Sequence, residues 1–122
     1  MNREIKFRGR AKGGFWHFGD LKLRKDKPNW AAVAAWVVDR ETVGEFTGFK
    51  DIDGKEIYEG DIIQNDEHPE EVGKVINENG CWIAEFFDDE PCLVWLLENT
   101  PQKVIGNAFD NPELLKGSKD ND

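Results

Sequence analysis

Turn signals punctuate this 122-residue chain so often that its longest uninterrupted apolar run, Trp30 to Val38, is nine residues. Gly13-Gly14, Asp53-Gly54, Asn79-Gly80 and Asp88-Asp89-Glu90-Pro91 each separate short segments rich in Val, Ile, Phe and Trp. Segments spaced about 8–12 residues apart with such punctuation argue for many short strands. Nine apolar residues also fall far short of the roughly 20 that a helix needs to cross a bilayer. A chain of this length buries roughly two-thirds of its unfolded surface, enough for a core without disulfide staples.

Along the chain, Glu4 to Arg8 alternates charged and apolar residues and predicts an edge or half-exposed strand, with Ile5 and Phe7 on one face and Glu4, Lys6 and Arg8 on the other. A glycine turn over Ala11–Gly14 leads into a second strand from Phe15 to about Leu23, giving an N-terminal hairpin. Arg24 to Asn29 reads as a charged loop. The Trp30–Val38 run fits both helical spacing and strand parity; its length is short for a helix, so strand is preferred. Asp51 to Lys55 is a tight turn with Gly54 at the position that wants a positive φ. Asp51 and Asp53 also suggest a calcium loop, but an EF-hand register with Gly54 at position 6 puts Phe49 and Gly60 where carboxylates are required. Asp61 is expected to cap a turn, and Ile62-Ile63 to enter the interior. Three further short runs precede a closing strand at Val104–Asn107. Asn111-Pro112-Glu113, ending at Gly117, predicts a short helix.

The expected fold is therefore mainly β: residues 1–53 form an N-terminal β region, residues 54–117 a small β-barrel with a short terminal helix, and residues 118–122 a disordered tail, all within reach of one compact domain. The Glu59-Gly60-Asp61-Ile62-Ile63 entry followed by Gly73-Lys74-Val75 is similar in pattern to small Src-homology-like barrels.

Charge is polarised. Residues 1–27 carry nine Lys/Arg and three Asp/Glu, a net of +6, whereas residues 28–122 carry seven basic and 22 acidic residues, a net of −15. An acidic body disfavours nucleic-acid phosphates and anionic membranes, because affinity for either depends on Lys/Arg. Cys81 and Cys92 sit in apolar company and read as reduced core residues, although pairing across adjacent strands is open. The charged stretch Met1–Arg10 has no apolar signal-peptide core, so a cytoplasmic protein is expected.

Several blocks resemble the YopX family of small phage and prophage proteins: Arg3–Gly9, Gly14–Leu21, Val38–Asp51, Gly54–Ile63 and Val104–Leu115. Arg40, Glu45, Phe49 and Ala108 depart from the residues usual there. The resemblance implies a mainly β fold and a phage-linked setting in the host cytoplasm. It brings no established activity, cofactor or catalytic residue.

The residues themselves hold no catalytic constellation. Nucleophilic catalysis needs a base within hydrogen-bond reach of Ser, Cys or Thr, and only His17 and His68 are available as histidine bases. His17, flanked by Trp16 and Phe18 on a strand, is expected on the outer face; His68 lies in the acidic loop Asp66–Glu71, where Asp66, His68 and Glu70 have the spacing for adventitious chelation only. The five Trp and Tyr58 are expected mostly in the core. The sequence predicts no enzyme, cofactor or metal site. Two binding surfaces remain. The first is an acidic face of Asp66, Glu67, Glu70, Glu71, Asp88, Asp89 and Glu90, complementary to a basic host or phage protein. The second is a nucleic-acid surface with Lys6, Arg8, Arg10, Lys22 and Arg24 on phosphates and Trp16 stacking on a base. A homo-oligomer is compatible with either, because strand edges in a small β protein need covering.

Overall fold

The computed structural model describes residues 5–86, 94–96 and 101–116, and the chain divides into two compact units, Met1–Gly48 and Phe49–Asp122. In the first unit, β1 (Phe7–Arg10) and β2 (Trp16–Gly19) form an antiparallel hairpin around the expected glycine turn, with Gly13 and Gly14 at φ 98° and 93°. The strand expected from Phe15 to Leu23 is two. Gly19, at φ 150°, ends β2, and β3 (Leu21–Arg24) starts a second sheet with β4 (Lys27–Val33) and β5 (Trp36–Asp39). The charged loop expected over Arg24–Asn29 contracts to a turn at Lys25-Asp26, where the Arg24 guanidinium donates to both carboxylate oxygens of Asp26 at 3.1 and 2.8 Å. One guanidinium–carboxylate pair therefore braces a two-residue turn in place of a longer connection.

Trp30–Val38 is neither one strand nor a helix. It folds back on itself: Val33 pairs with Trp36 across Ala34 and Ala35, which take φ of 52° and 70°. Positive φ at both central residues is the type I′ geometry whose twist suits a two-residue hairpin. Asn-Gly is its usual signature, and two alanines give no sign of it in the sequence.

After a 3₁₀ turn over Arg40–Thr42, β6 (Gly44–Lys50) pairs with β1 through Phe7↔Glu45 and Arg8↔Gly44. β1 is thus flanked on both sides, and Arg8 and Gly9 are buried, so this strand is central rather than an edge. The core of the unit joins Ala31, Val33 and Val38 to Phe7, Ala11, Leu21 and Val43. Gly9 is required there, since a Cβ on it would lie 2.6 Å from Val38 Cγ2.

The second unit opens with the expected turn at 51–55, closed by Asp51 N–H donating to Lys55 O at 2.8 Å. It continues through β7 (Glu56–Tyr58), β8 (Asp61–Asn65), β9 (Val72–Glu78), β10 (Cys81–Phe86), β11 (Val94–Leu96), β12 (Gln102–Asn107) and α1 (Glu113–Lys116). The antiparallel sheet runs β11-β10-β9-β8-β12. The mainly β architecture and the short helix stand. A closed barrel does not: β11 and β12 occupy opposite edges of an open sheet, and no ladder among the described residues joins them. Ile57, Ile63, Val75, Trp82 and Ala84 form its core, with Phe49 and Val104 packed against them.

Asp61 caps as expected, its Oδ2 accepting Tyr58 N–H at 2.8 Å. Cys81 departs from expectation. It pairs with Glu78 where β9 turns into β10 through Asn79 (φ 55°) and Gly80 (φ 85°), so its thiol is exposed and free rather than in the core. Cys92 and the turn at Asp88–Pro91 lie outside the described residues. Among the described residues no helix is long and apolar enough to cross a membrane.

Candidate functional site

Strand parity decides which side chains of the first unit meet. On the β1–β2 hairpin, the pairs Gly9↔His17 and Arg10↔Trp16 put Phe7, Gly9 and His17 on one face and Arg8, Arg10, Trp16 and Phe18 on the other. On the second sheet, Ala31↔Val38 and Val33↔Trp36 place these four on one face. The two faces that share Phe7, Val33 and Val38 in the core carry His17 and Trp36 at one end. Their rings stack with centroids 4.6 Å apart and planes 10° from parallel. His17 therefore leaves the outer face assigned to it and joins an aromatic pair.

This end of the unit is apolar and open. Phe15 is 72% exposed, Val37 59% and Trp36 58%. Together with Trp16, His17 and Ala35 they line a groove of about 760 Å³, with Lys12 at its border. A second groove of about 500 Å³ adjoins it along Arg10–Gly14 and Val37–Asp39. Both lie beside the isolated bridge between Ala11 and Val38 and beside β5, an edge of its sheet. Buried hydrophobics in small proteins are unremarkable, but contiguous exposed aromatics on a strand edge invite association unless a partner covers them. The Ala34-Ala35 turn, with two non-glycine residues in the left-handed region, stands directly beside Trp36. Such conformations gather where a structure holds a recognition surface in place.

The cations of the expected nucleic-acid surface are divided. The Arg8 guanidinium sits 4.7 Å from the Trp16 ring and is buried, and Lys6 Nζ is 5.3 Å from the Phe46 ring. Arg24 lies 5.7 Å from Trp30 and bonds Asp26. Lys22 stands with Arg24 on β3, in a different sheet from Lys6, Arg8, Arg10 and Trp16. The six residues are thus drawn from two sheets of the first unit.

On the acidic face, the described residues include only the 66–71 loop; Asp88, Asp89 and Glu90 lie outside them. Asn65 organises that loop, its Oδ1 accepting Glu67 N–H and its amide donating to Glu71 Oε1, both at 2.9 Å. Asp66, Glu67 and Glu70 face solvent, whereas Glu71 is half-buried in its bond to Asn65. His68 Nδ1 approaches Glu70 at 3.8 Å. No group of three metal-ligating side chains occurs among the described residues.

Asp51 is likewise structural. Its carboxylate accepts from the N–H groups of Asp53 and Lys55 at 2.9 Å and of Val104 at 3.0 Å. Burial raises its pKa, but these donors and the Lys55 charge outweigh burial and hold the carboxyl below its ordinary value. Tyr58 is buried, with its hydroxyl 3.0 Å from Glu56 Oε1, so it lines no groove.

A family model described as YopX protein matches residues 15–116. The chain belongs to the YopX family. The match starts at Phe15, the first aromatic of the groove, and takes in Trp36 and Val37. It leaves the block Arg3–Gly9, together with Arg10 and Lys12, ahead of it. This YopX chain is also similar to the crystal structure of protein EF1440 from Enterococcus faecalis, with a TM-score of 0.64 and 23% identity, over 93% of this chain and 99% of that one. At that identity the likeness extends to the fold. No curated protein matches the chain.

Of the aromatics expected mostly in the core, Trp16 and Trp36 instead line this groove, as the sequence left open for some of the five Trp.

Proposed function

We propose that this YopX-family chain is a non-enzymatic module that binds a protein partner, and that the groove between Phe15 and Trp36 is its recognition surface. The carrying observation is the exposure of Phe15, Trp36 and Val37 around one groove, with Trp36 braced on His17. Aromatic side chains on a rigid strand bring large contact area at small conformational cost, which is why they dominate binding hot spots. The phage-linked, host-cytoplasmic setting belongs to the same reading. The Asp66–Glu70 carboxylates offer a basic protein a second place to dock, through charge alone.

The test is affinity capture from lysate of the organism that carries the protein, with wild type, Trp36→Ala and the triple amide Asp66→Asn, Glu67→Gln, Glu70→Gln side by side. A stoichiometric protein that wild type and the triple amide recover and Trp36→Ala loses supports the groove. Recovery lost only by the triple amide moves the function to the acidic loop. Nuclease-sensitive recovery without a protein overturns the proposal in favour of nucleic acid.

A further inference from the structure

We infer a second interaction surface, independent of the groove: the tip of the β3–β4 hairpin is a basic arm whose Lys22, Lys25 and Lys27 meet the phosphates bordering a groove of double-stranded DNA.

The tip projects from its sheet. All eight residues from Lys22 to Asn29 are exposed, although they include the ends of two paired strands. Burial on β4 begins at Trp30 and is complete from Ala31, where the core of the unit starts. Leu23, which parity puts on the same face as the core-packed Leu21, is 47% exposed, so even that face meets solvent at the tip.

The charge of the tip is opposite to that of the remainder. Residues 22–29 carry Lys22, Arg24, Lys25 and Lys27 against Asp26 alone, a net of +3, which leaves −12 for all other residues of a chain whose total is −9. Hydrogen bonds sort these cations by role. Arg24 bonds both carboxylate oxygens of Asp26 across the two-residue turn and lies over Trp30, so it shapes the tip. Arg40 Nη1 donates to Pro28 O at 2.7 Å and holds the other strand. The described residues give Lys22, Lys25 and Lys27 no ion pair or hydrogen bond. Lys22 and Arg24 alternate on β3, and Arg24 opposes Lys27, so Lys22 and Lys27 share one face of the hairpin with Lys25 at its turn. Of the six residues expected to bind nucleic acid, Lys22 and Arg24 belong to this arm, while Lys25 and Lys27 are new to it.

Shape and charge together name the partner. The major groove of a DNA duplex admits a two-stranded ribbon, and phosphates border it on both sides. A segment that inserts into a membrane surface places aromatic and leucine side chains against the lipid. Here the turn is Lys25-Asp26, and Trp30 is covered by Arg24. The negative charge of the remaining residues repels phosphates, which confines the contact to the arm and makes it weak and dependent on salt.

The experiment titrates the full chain into a fluorescently labelled DNA duplex and follows anisotropy at several salt concentrations. Three neutralised phosphates predict a slope of about −2.7 in log K against log salt, so affinity should fall about fortyfold between 50 and 200 mM. Lys25→Gln should flatten that slope by about 1. The triple variant Lys22→Gln, Lys25→Gln, Lys27→Gln should lose measurable binding while keeping the urea midpoint of wild type, because all three side chains are exposed. Trp36→Ala should bind the duplex as wild type does, which separates the arm from the protein-binding groove. No binding at low salt, or a triple variant that binds like wild type, overturns the arm. Tighter binding of phosphatidylserine vesicles or of polyglutamate at the same salt, lost in the triple variant, overturns the assignment to DNA.

Discussion

At Gly9 the first unit's two layers leave no room for a Cβ, and its packing can be tested as a pair. An alanine Cβ there would stand 2.6 Å from Val38 Cγ2, 3.0 Å from Val38 Cβ and 3.2 Å from Val33 Cγ2. The nearest atom belongs to a β-branched side chain that is 5% exposed and has one preferred rotamer, so it cannot swing away. Overpacking of this kind costs about 1–3 kcal/mol, and the stiffening of the unfolded chain by Gly→Ala returns about 0.4–1 kcal/mol. A net loss of about 1–2 kcal/mol is expected for Gly9→Ala. Val38→Ala alone removes two buried methyl groups and should cost about 2 kcal/mol. In the double variant the 2.6 Å contact no longer exists, while the 3.0 Å contact with the residual Cβ remains. The losses should then fall short of additivity by about 1 kcal/mol. Urea unfolding followed by Trp fluorescence reads this as a midpoint about 0.5 M higher than the sum of the single effects, at unchanged slope. Additivity within about 0.3 kcal/mol, or a neutral Gly9→Ala, would refute the claim that these two layers touch at Gly9.

Replacing Ala34-Ala35 by Asn-Gly should raise stability by about 1 kcal/mol, because both residues sit at positive φ; a lowered thermal midpoint would contradict the type I′ assignment. Trp36→Ala should cost about 1 kcal/mol or less in stability while removing partner binding, so denaturation and capture on the same sample separate the two roles. Gly106→Ala should cost about 1–2 kcal/mol, since its Cβ would lie 2.6 Å from Asn111 Oδ1, the acceptor of Asn107 N–H; urea titration checks it. Asp51→Asn should cost about 1–3 kcal/mol at neutral pH. The Asp51 pKa is depressed in the fold, so its contribution is present above the unfolded value of about 3.9 and fades as pH falls through the lower folded value. The gap between wild type and Asp51→Asn should accordingly narrow below about pH 4, and a gap that widens there would reverse the sign.

What was legible in the chain follows from which rules are local. Gly13-Gly14, Asp53-Gly54 and Asn79-Gly80 announced their turns because glycine is the residue that tolerates positive φ at no cost, and each is a turn. Asn111-Pro112-Glu113 announced α1 through capping chemistry, which is equally local. Ala34-Ala35 announced nothing. Alanine has no preference for positive φ, so that hairpin is imposed from outside: by the pairing of Val33 with Trp36 and by Ala34 N–H donating to Asp20 O at 3.0 Å. The groove depends on that turn, so it was invisible for the same reason. His17 shows the complementary limit. Alternation separated it correctly from Trp16 and Phe18, but alternation names two faces without saying which is buried, and the choice rests on the second sheet arriving opposite.

Charge carries the same lesson further. The net of +6 over residues 1–27 reads as a surface ready for phosphates only if each cation is free to meet one. In the fold, Arg8 lies buried against Trp16, Lys6 covers Phe46, and Arg24 is shared between Trp30 and Asp26. Each such contact contributes about 0.5–2 kcal/mol to the fold, and a ligand would have to offset that before gaining from the charge. The long stems of Lys and Arg lie along aromatic faces because a half-exposed sheet has too few apolar side chains to cover them otherwise. Cation–aromatic packing thus stabilises this unit and at the same time lowers the number of charges it can present. What remains for recognition at the Phe15–Trp36 end of the unit is an apolar groove with Lys12 at its border, a surface that relies on aromatic contact more than on charge.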